Sequence, residues 1–128
     1  MKVTGTDGKE YTIEPRADLS GASLYRANLS RADLRGADLS GTTNLRGANL
    51  EGADLSGAYL YRANLRDANL SGASVRGAYL IRADLTDVCL NEVDLGGAKL
   101  TNANLSGAVW NDETVFPEGF EIPEMSGT

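Results

Sequence analysis

The sequence predicts an all-β fold, a solenoid of short extended segments wound around a narrow apolar column. Two observations predict it: an apolar pattern that repeats every five residues, and a glycine at the end of many repeats. From Ala17 to Asp112 the chain reads as 19 consecutive units, nearly all of the form Ala-(Asp/Asn)-Leu-x-x. An α-helix repeats its apolar residues about every 3.6 positions and a half-buried strand every second position, so neither explains the pattern. A short fixed period is typical of repeat proteins, whose units bury their side chains by stacking.

The two apolar positions of each unit lie two residues apart. The central residue is Leu in 17 of the 19 units, with Val75 and Trp110 as the exceptions. The residue two positions earlier is Ala in 16 units, and Thr43, Val88 and Val93 replace it in the others. Residues two apart in an extended segment point to the same side, so we expect Ala and Leu to face the interior together. The residue between them then faces outward, and it is Asp or Asn in 12 units.

The last position of the unit predicts a corner. It is Gly in ten units, and glycine readily adopts the positive φ that many tight turns require. The spacing slips once, because Leu39 and Leu45 lie six residues apart. We expect the extra residue, Thr42 or Thr43, to form a bulge at a corner, where it leaves the inward positions undisturbed.

The units ADLSG at 17–21, ANLSR at 27–31, ADLRG at 32–36 and ANLEG at 48–52 resemble those of the pentapeptide-repeat family. The resemblance covers about three quarters of the chain. It implies a right-handed quadrilateral β-helix, with four units per coil and the Ala and Leu of each unit facing inward. On that basis the 19 units form about 4.75 coils with capped ends.

The ends of the chain depart from the repeat and are predicted to cover the ends of the solenoid. Open ends would offer unpaired strand edges to other chains. We therefore divide the chain into an N-terminal cap at 1–16, the repeats at 17–112 with a one-residue bulge near 42, and a C-terminal cap and tail at 113–128.

Each cap has its own sequence signal. Val3, Tyr11 and Ile13 around the Asp7-Gly8 pair predict a short hairpin or edge strand on the first coil. At the other end, Phe116 and Phe120 predict a lid over the last coil. These two aromatic residues also leave open a contact between two copies, so the expected state is a monomer or a weak homodimer through the C-terminal end.

The composition offers little for catalysis or for a cofactor. The chain has no histidine, the usual general base near neutral pH and the commonest metal ligand. Its carboxylates recur because the repeat places Asp between Ala and Leu, and no metal-binding or phosphate-binding motif is present. We expect no catalytic, cofactor-binding or metal-binding residues and a non-enzymatic protein.

The location of the protein is predicted from its cysteine content and its apolar runs. A single cysteine, Cys89, cannot form an internal disulfide, and its outward position in the repeat marks it as a tolerated variant. No apolar run is long enough for a signal peptide or a membrane span. We expect a cytoplasmic protein that does not bind membranes.

The net charge bears on the activity that is best understood in the pentapeptide-repeat family. There an acidic rod imitates DNA, binds a type II topoisomerase such as DNA gyrase, and inhibits the enzyme or protects it from drugs. The formal net charge is −6, but residues 17–112 carry 11 acidic and 9 basic side chains, a net charge of only −2. Since DNA presents one charge about every 1.7 Å, this rod is a poor imitation. An acidic chain without a basic cluster is not expected to bind nucleic acid directly either.

One group of outward residues stands out when units four apart are stacked. The segments AYLYR at 58–62 and AYLIR at 78–82 become adjacent rungs on the side that contains Leu60 and Leu80. They form a candidate protein-interaction patch of large side chains: Tyr59, Tyr61, Arg62, Tyr79, Ile81 and Arg82. Aromatic and arginine side chains are enriched at interaction hot spots, but stacked tyrosines also stabilise neighbouring strands.

A second, weaker candidate lies on the neighbouring side, where Arg46, Arg66, Asp67 and Asp87 are expected to pair with one another. The sequence therefore favours a non-enzymatic scaffold or protein-protein interaction module with an unknown protein partner. Topoisomerase-directed DNA mimicry is the alternative.

Overall fold

The computed structural model describes residues 1–124 and winds most of them into stacked four-sided coils. Parallel β-pairing joins residues 20 or 21 positions apart, as between Asp18 and Asp38 or between Tyr59 and Tyr79. Four units therefore complete one coil. This confirms the all-β solenoid predicted from the spacing and the four-sided coil that the family resemblance implies.

The coils build a rod with four sides, which we number in chain order and identify by their outward residues. Side 1 carries Asp18, Asp38, Tyr59, Tyr79 and Lys99. Side 2 carries Ser23, Asn44, Asn64, Asp84 and Asn104. Side 3 carries Asn28, Asn49, Asn69, Cys89 and Val109. Side 4 carries Asp33, Asp54, Ser74, Asp94 and Val115.

The core is a single column of Leu and Ala along the axis of the rod. The central residue of every unit from Leu19 to Leu100 is no more than 7% exposed. Most of the alanines two residues earlier are equally buried, whereas Ala17, Ala27 and Ala103, close to the two ends, are only partly buried. The inward assignment of both apolar positions is confirmed.

Each corner is a tight turn closed by a backbone hydrogen bond. In the first unit the N–H of Ala22 donates to the carbonyl of Leu19 over 3.0 Å, and later units repeat this bond. The last residue of each unit from Gly21 to Gly107 has positive φ, so it lies in the left-handed region. Glycine takes this position without a steric penalty, while at Arg26 and Glu92 a side chain is held in the less favourable conformation.

The outward Asp and Asn residues have a structural role at these corners. In all 12 units that carry one, its Oδ1 accepts the N–H of the residue two positions later, over 2.9–3.3 Å. This bond satisfies a turn N–H that the ladder does not use, as Asn and Asp side chains often do in turns. The pattern Ala-(Asp/Asn)-Leu therefore encodes both the buried column and the turn that follows it.

The inserted residue at 42 lies at the corner after side 1, and the next residue compensates for it. Thr43 is buried in place of alanine, and its hydroxyl donates to the carbonyl of Leu19 or Ser40 at 3.0 and 2.9 Å. The same oxygen accepts the N–H of Gly21 over 2.9 Å. In the following turns that N–H donates to the backbone of the coil above, so the threonine restores a bond that the insertion removes.

The same arrangement recurs at the corner after side 3, near the C-terminal end. Parallel pairing continues past residue 112, because Val115 pairs with Asp94. Thr114 occupies the alanine position, and its hydroxyl donates to the carbonyl of Leu90 over 2.7 Å. Residues 114–116 therefore add one further segment to side 4, with Phe116 at the central position.

At the N-terminal end a hairpin is bonded to the first coil. Strand β1 (Lys2–Thr4) pairs antiparallel with strand β2 (Glu10–Thr12). The Thr6 N–H donates to the Ser23 carbonyl over 3.3 Å, and the hydroxyls of these two residues are also hydrogen bonded. Ile13 is buried beneath the hairpin.

At the C-terminal end, residues 117–124 fold back over part of the last coil. The ring of Phe116 meets Trp110 edge to face at 5.4 Å and stacks on Phe120 at 5.6 Å between centroids. Within residues 1–124, the only backbone hydrogen bond of this lid is its own turn, from the Phe120 N–H to the Pro117 carbonyl. The C-terminal tail expected at 113–128 continues into residues 125–128, which lie outside the described residues. Over residues 1–124, no helix is long and apolar enough to cross a membrane.

Candidate interaction surface

The six residues of the candidate patch come together on the upper half of side 1 and at its corner. The rings of Tyr59 and Tyr79 stack with centroids 4.9 Å apart and planes 4° from parallel. Tyr61 stacks on Tyr79 as well, at 5.8 Å. Beside the rings, the Arg62 N–H donates to the Ile81 carbonyl over 3.0 Å, so the corner residues of the two coils are held in register.

The patch is accessible and amphipathic. Tyr59 is 43% and Tyr61 38% exposed, whereas Tyr79 is half-buried between its neighbours. Lys99, one coil further along side 1, places its ammonium 4.8 Å from the Tyr79 ring centroid. The sequence prediction omitted this lysine, although one more step of 20 residues from Tyr79 reaches it. A cation over an aromatic face adds a favourable electrostatic contact.

The basic side chains of the patch are free for a partner. Within residues 1–124, no carboxylate lies within ion-pair distance of Arg62, Arg82 or Lys99. Their charges are therefore not neutralised by the rod itself. A carboxylate on a partner could pair with them without first displacing an internal one.

The two tyrosines of side 1 stand where most units have Asp or Asn. As a result, the turn N–H groups of Tyr61 and Ile81 receive no side-chain cap and have no acceptor within residues 1–124. Stacking contributes about 0.2–1 kcal/mol per aromatic pair. Two lost turn hydrogen bonds, at about 0.5–1.5 kcal/mol each, offset that gain. The two contributions are of similar size, so stacking gives tyrosine little net stability over Asp or Asn at these two positions.

The neighbouring corner, after side 2, behaves differently. Arg46 pairs with Asp67 at 3.8 Å, and Arg66 pairs with Asp84 at 3.6 Å. Partial burial would raise the pKa of Asp84, but hydrogen bonds from Thr86 and the charge of Arg66 lower it below its ordinary value. Arg46 and Asp67 therefore pair as expected, whereas Arg66 pairs with Asp84, and Asp87 takes part in no ion pair within residues 1–124. The paired charges offer a partner little.

Two carboxylates on side 4 are also paired within the rod. The pKa of Asp33 is lowered by the hydrogen bond from the Arg35 guanidinium, and that of Asp94 by the Gly96 N–H and then by Arg76. The Cys89 sulfur lies 3.1 Å from the Ser71 hydroxyl. Over residues 1–124, no group of three or more Cys, Asp or Glu side chains is arranged to hold a metal ion.

Comparisons with known proteins agree with this architecture. A family model described as pentapeptide repeats matches residues 15–42, 43–80 and 78–109, with 8 copies. No curated protein matches the chain. Among solved structures, the chain is similar to HetL, a pentapeptide-repeat protein involved in heterocyst differentiation regulation from the cyanobacterium Nostoc sp. strain PCC 7120. The two are 40% identical with a TM-score of 0.61, over 79% of this chain and 48% of HetL.

Two further cyanobacterial structures are similar in sequence. Rfr23 from Cyanothece 51142 is 37% identical over 84% of this chain and 67% of its own, with a TM-score of 0.46. A pentapeptide-repeat protein from Nostoc PCC 7120, alr5209, is 39% identical over 70% of this chain and 77% of its own, with a TM-score of 0.43. The chain spans about half the length of HetL. Given the family match over most of its length and the coils described above, the chain belongs to the pentapeptide-repeat family and adopts its right-handed β-helix.

Proposed function

We propose that the chain is a protein-interaction module and that the patch of Tyr59, Tyr61, Arg62, Tyr79, Ile81 and Arg82 is its docking surface. Family membership supports a non-enzymatic repeat scaffold, and the patch supplies the finer role. The observation that carries the proposal is that tyrosine replaces the turn-capping Asp or Asn twice in succession. The rod gives up two hydrogen bonds there and gains an exposed aromatic surface.

The chemistry of the patch specifies a partner. Exposed rings favour an apolar or aromatic side chain, and the unpaired Arg62, Arg82 and Lys99 favour nearby carboxylates. A protein segment with an apolar anchor and acidic neighbours would satisfy both.

The test compares two variants in affinity capture from the native cell. Tyr61→Ser with Ile81→Ser removes the large corner side chains and introduces the residue that Ser20 and Ser40 already place on that corner. The matched control is Tyr25→Ser, which removes a tyrosine that is 37% exposed at another corner. We expect the double variant to lose the main partners while Tyr25→Ser keeps them, with unchanged far-ultraviolet circular dichroism in both. Retention of every partner by the double variant would refute the docking role.

The alternative, DNA mimicry, requires a dense stripe of one charge along a side. Arg46 and Asp67, Arg66 and Asp84, and Arg76 and Asp94 instead alternate in sign and pair. We expect no inhibition in a gyrase supercoiling assay at low micromolar concentration. Potent, salt-sensitive inhibition would reverse the order of the two functions.

A further inference from the structure

The C-terminal end of the rod holds an open apolar cleft. The lid covers only part of the last coil and leaves a concavity of about 540 Å³. Its apolar lining consists of Ala103, Leu105, Ala108, Trp110, Phe120 and Pro123. In the coils below, the central leucines of sides 2 and 3 are buried, whereas Leu105 and Trp110, at the same positions in the last coil, are only half-buried. The floor of the cleft is therefore the uncovered end of the hydrophobic column.

The wall of this cleft is an unpaired strand edge. One coil lower, the Leu85 N–H donates to the Asn104 carbonyl over 2.8 Å, and the Asn104 N–H donates to the Ala83 carbonyl over 3.0 Å. The equivalent groups of the last coil, the N–H of Leu105 and the carbonyl of Ala103, have no backbone partner within residues 1–124. The same holds for the Trp110 N–H and the Ala108 carbonyl on side 3.

These free groups are spaced as in a parallel ladder. An extended segment laid on this edge would meet a donor and an acceptor on side 2 at the positions where a further coil would place them. Such addition of a strand to an exposed edge is a recurring mode of peptide recognition, with backbone bonds for affinity and pockets for alternate side chains. The apolar cleft beside the edge provides such a pocket.

The charge of this end is strongly negative. Residues 1–84 carry ten acidic and eleven basic side chains, whereas residues 85–124 carry eight acidic and one basic. The net charge is therefore +1 over residues 1–84 and −7 over residues 85–124. Glu118, Glu121 and Glu124 are exposed on the lid, and within residues 1–124 none of them pairs with a basic side chain.

We propose that the C-terminal end binds an extended, basic segment of a partner protein, in which apolar residues alternate with Lys or Arg. The segment adds a strand to the edge of residues 103–105 on side 2 and places its apolar residues over Leu105 and against Trp110. Its basic residues face the acidic lid, where Glu124 lines the cleft. This site is separate from the patch on side 1 and prefers the opposite charge.

A second copy of the chain is a poorer occupant for this edge. Contact between two C-terminal ends would bring two acidic ends together, and like-charge contact opposes association. The homodimer through the C-terminal end that the sequence left open is therefore disfavoured by charge.

The direct test uses synthetic peptides on the full chain. The probe is a fluorescein-labelled heptapeptide, Arg-Val-Lys-Leu-Arg-Val-Lys, with binding measured by fluorescence anisotropy. One control peptide replaces every Lys and Arg by Glu. The other keeps all side chains but is N-methylated at alternate residues, which removes the N–H groups that an added strand must donate.

We expect saturable binding of the basic probe and at least tenfold weaker binding of both controls. Nuclear magnetic resonance should show slowed exchange of the Leu105 amide proton when the basic probe is bound. Equal binding of the N-methylated peptide would overturn strand addition, because simple charge attraction would then suffice.

Variants of the chain test the role of the lid. Glu118→Gln, Glu121→Gln and Glu124→Gln together should weaken probe binding about tenfold, because the lid then offers no carboxylate to the basic residues of the probe. The matched control, Glu10→Gln with Glu14→Gln and Glu51→Gln, removes the same charge far from the cleft and should leave binding unchanged. Equal loss in both triple variants would show that only net charge matters and would refute the site.

Sedimentation equilibrium tests the competing occupant. We expect a monomer for the unchanged chain at about 100 μM, well above the concentrations of the peptide experiment. A dimer that becomes tighter when the three lid glutamates are neutralised would assign the edge to a second copy and refute the proposal.

Discussion

The two ends of the rod are closed in different ways. At the N-terminal end a hairpin hydrogen-bonds to the first coil at Ser23, and the leucines beneath it are buried. At the C-terminal end the lid relies on the contacts among Trp110, Phe116 and Phe120, and makes no backbone bond to the last coil within residues 1–124. A β-helix can therefore be closed by extending its hydrogen bonding or by covering its column with aromatic rings. On side 2, the hairpin bonds the edge of the first coil at Ser23, whereas the lid leaves the edge at Leu105 without a backbone partner within residues 1–124.

The largest difference between the ends is expected for core leucines on the same side. Leu24→Ala, in the first coil, should lower the free energy of unfolding by about 2–5 kcal/mol, because the side chain is fully buried and its removal leaves a cavity. Leu105→Ala, in the last coil, should cost less than about 1.5 kcal/mol, because the side chain is already half-exposed. Urea denaturation followed by circular dichroism measures both. Equal costs would show that the lid covers the column as fully as the hairpin does.

The attachment of the hairpin can be broken at one glycine. A Cβ added at Gly5 would overlap the Ser23 carbonyl oxygen and approach the Tyr11 ring to 2.8 Å. Because the backbone of Ser23 cannot yield easily, Gly5→Ala should cost about 1–3 kcal/mol and detach the hairpin. A Cβ added at Gly119 in the lid has no neighbouring atom within 4 Å, so Gly119→Ala should cost only the strain of positive φ, about 1–2 kcal/mol. The urea midpoints of the two variants compare these costs, and a larger loss for Gly119→Ala would contradict the difference between the ends.

The two threonines that follow the inserted residues provide a smaller comparison. Thr43→Val leaves the Gly21 N–H unpaired and removes the hydroxyl donor to the Leu19 and Ser40 carbonyls, so it should cost about 1–3 kcal/mol. Thr114→Val removes an equivalent bond to Leu90 at a half-buried site, so water can replace it and we expect less than about 1 kcal/mol. Serine at either position should restore most of the lost stability, as measured by thermal denaturation. If serine fails at Thr43, packing of the methyl group rather than hydrogen bonding is the cause.

Acidification should weaken the N-terminal closure by the smallest amount. Hydrogen bonds from the Tyr11 hydroxyl and then from the Lys9 N–H lower the pKa of Asp7 below its ordinary value. A carboxyl whose folded pKa is lowered stabilises the fold above its unfolded pKa, about 3.9, and this contribution disappears as the pH falls through the folded pKa. Amide chemical shifts of β1 (Lys2–Thr4) and β2 (Glu10–Thr12) should therefore move below about pH 4. In Asp7→Asn this transition should be absent, and its persistence would assign it to another group.

Much of the rod was predictable because each unit repeats one local rule. The five-residue period predicts the buried column and the corners, and these follow from alternation and turn chemistry. Which units stack follows from the four units per coil that the family resemblance implies. The period ends before Thr114, because an inserted residue interrupts it there as it does at Thr43, so the last segment of side 4 was missed. The open cleft at Leu105 was also missed, because it depends on how a non-repeating lid of aromatic residues packs.

The candidate site was only partly predictable for the same reason. The 20-residue coil predicts that residues 20 positions apart are neighbours, and this places Tyr59 beside Tyr79. The missing turn caps at Tyr61 and Ile81 became apparent only when the structure showed what Asp and Asn do in the other units. That Arg62, Arg82 and Lys99 form no internal ion pair could not be predicted either, because sequence spacing does not show which basic side chains are already paired.

The coil of 20 residues has a further consequence for how such a protein changes in evolution. Duplication of one coil between the patch on side 1 and the C-terminal cleft would lengthen the rod by about 4.8 Å, the spacing of neighbouring strands. The order of the four sides and the chemistry of both surfaces would stay the same. The distance between two binding partners can thus change in steps of one coil, each encoded by a gene segment of 20 codons. The affinity for either partner need not change with it.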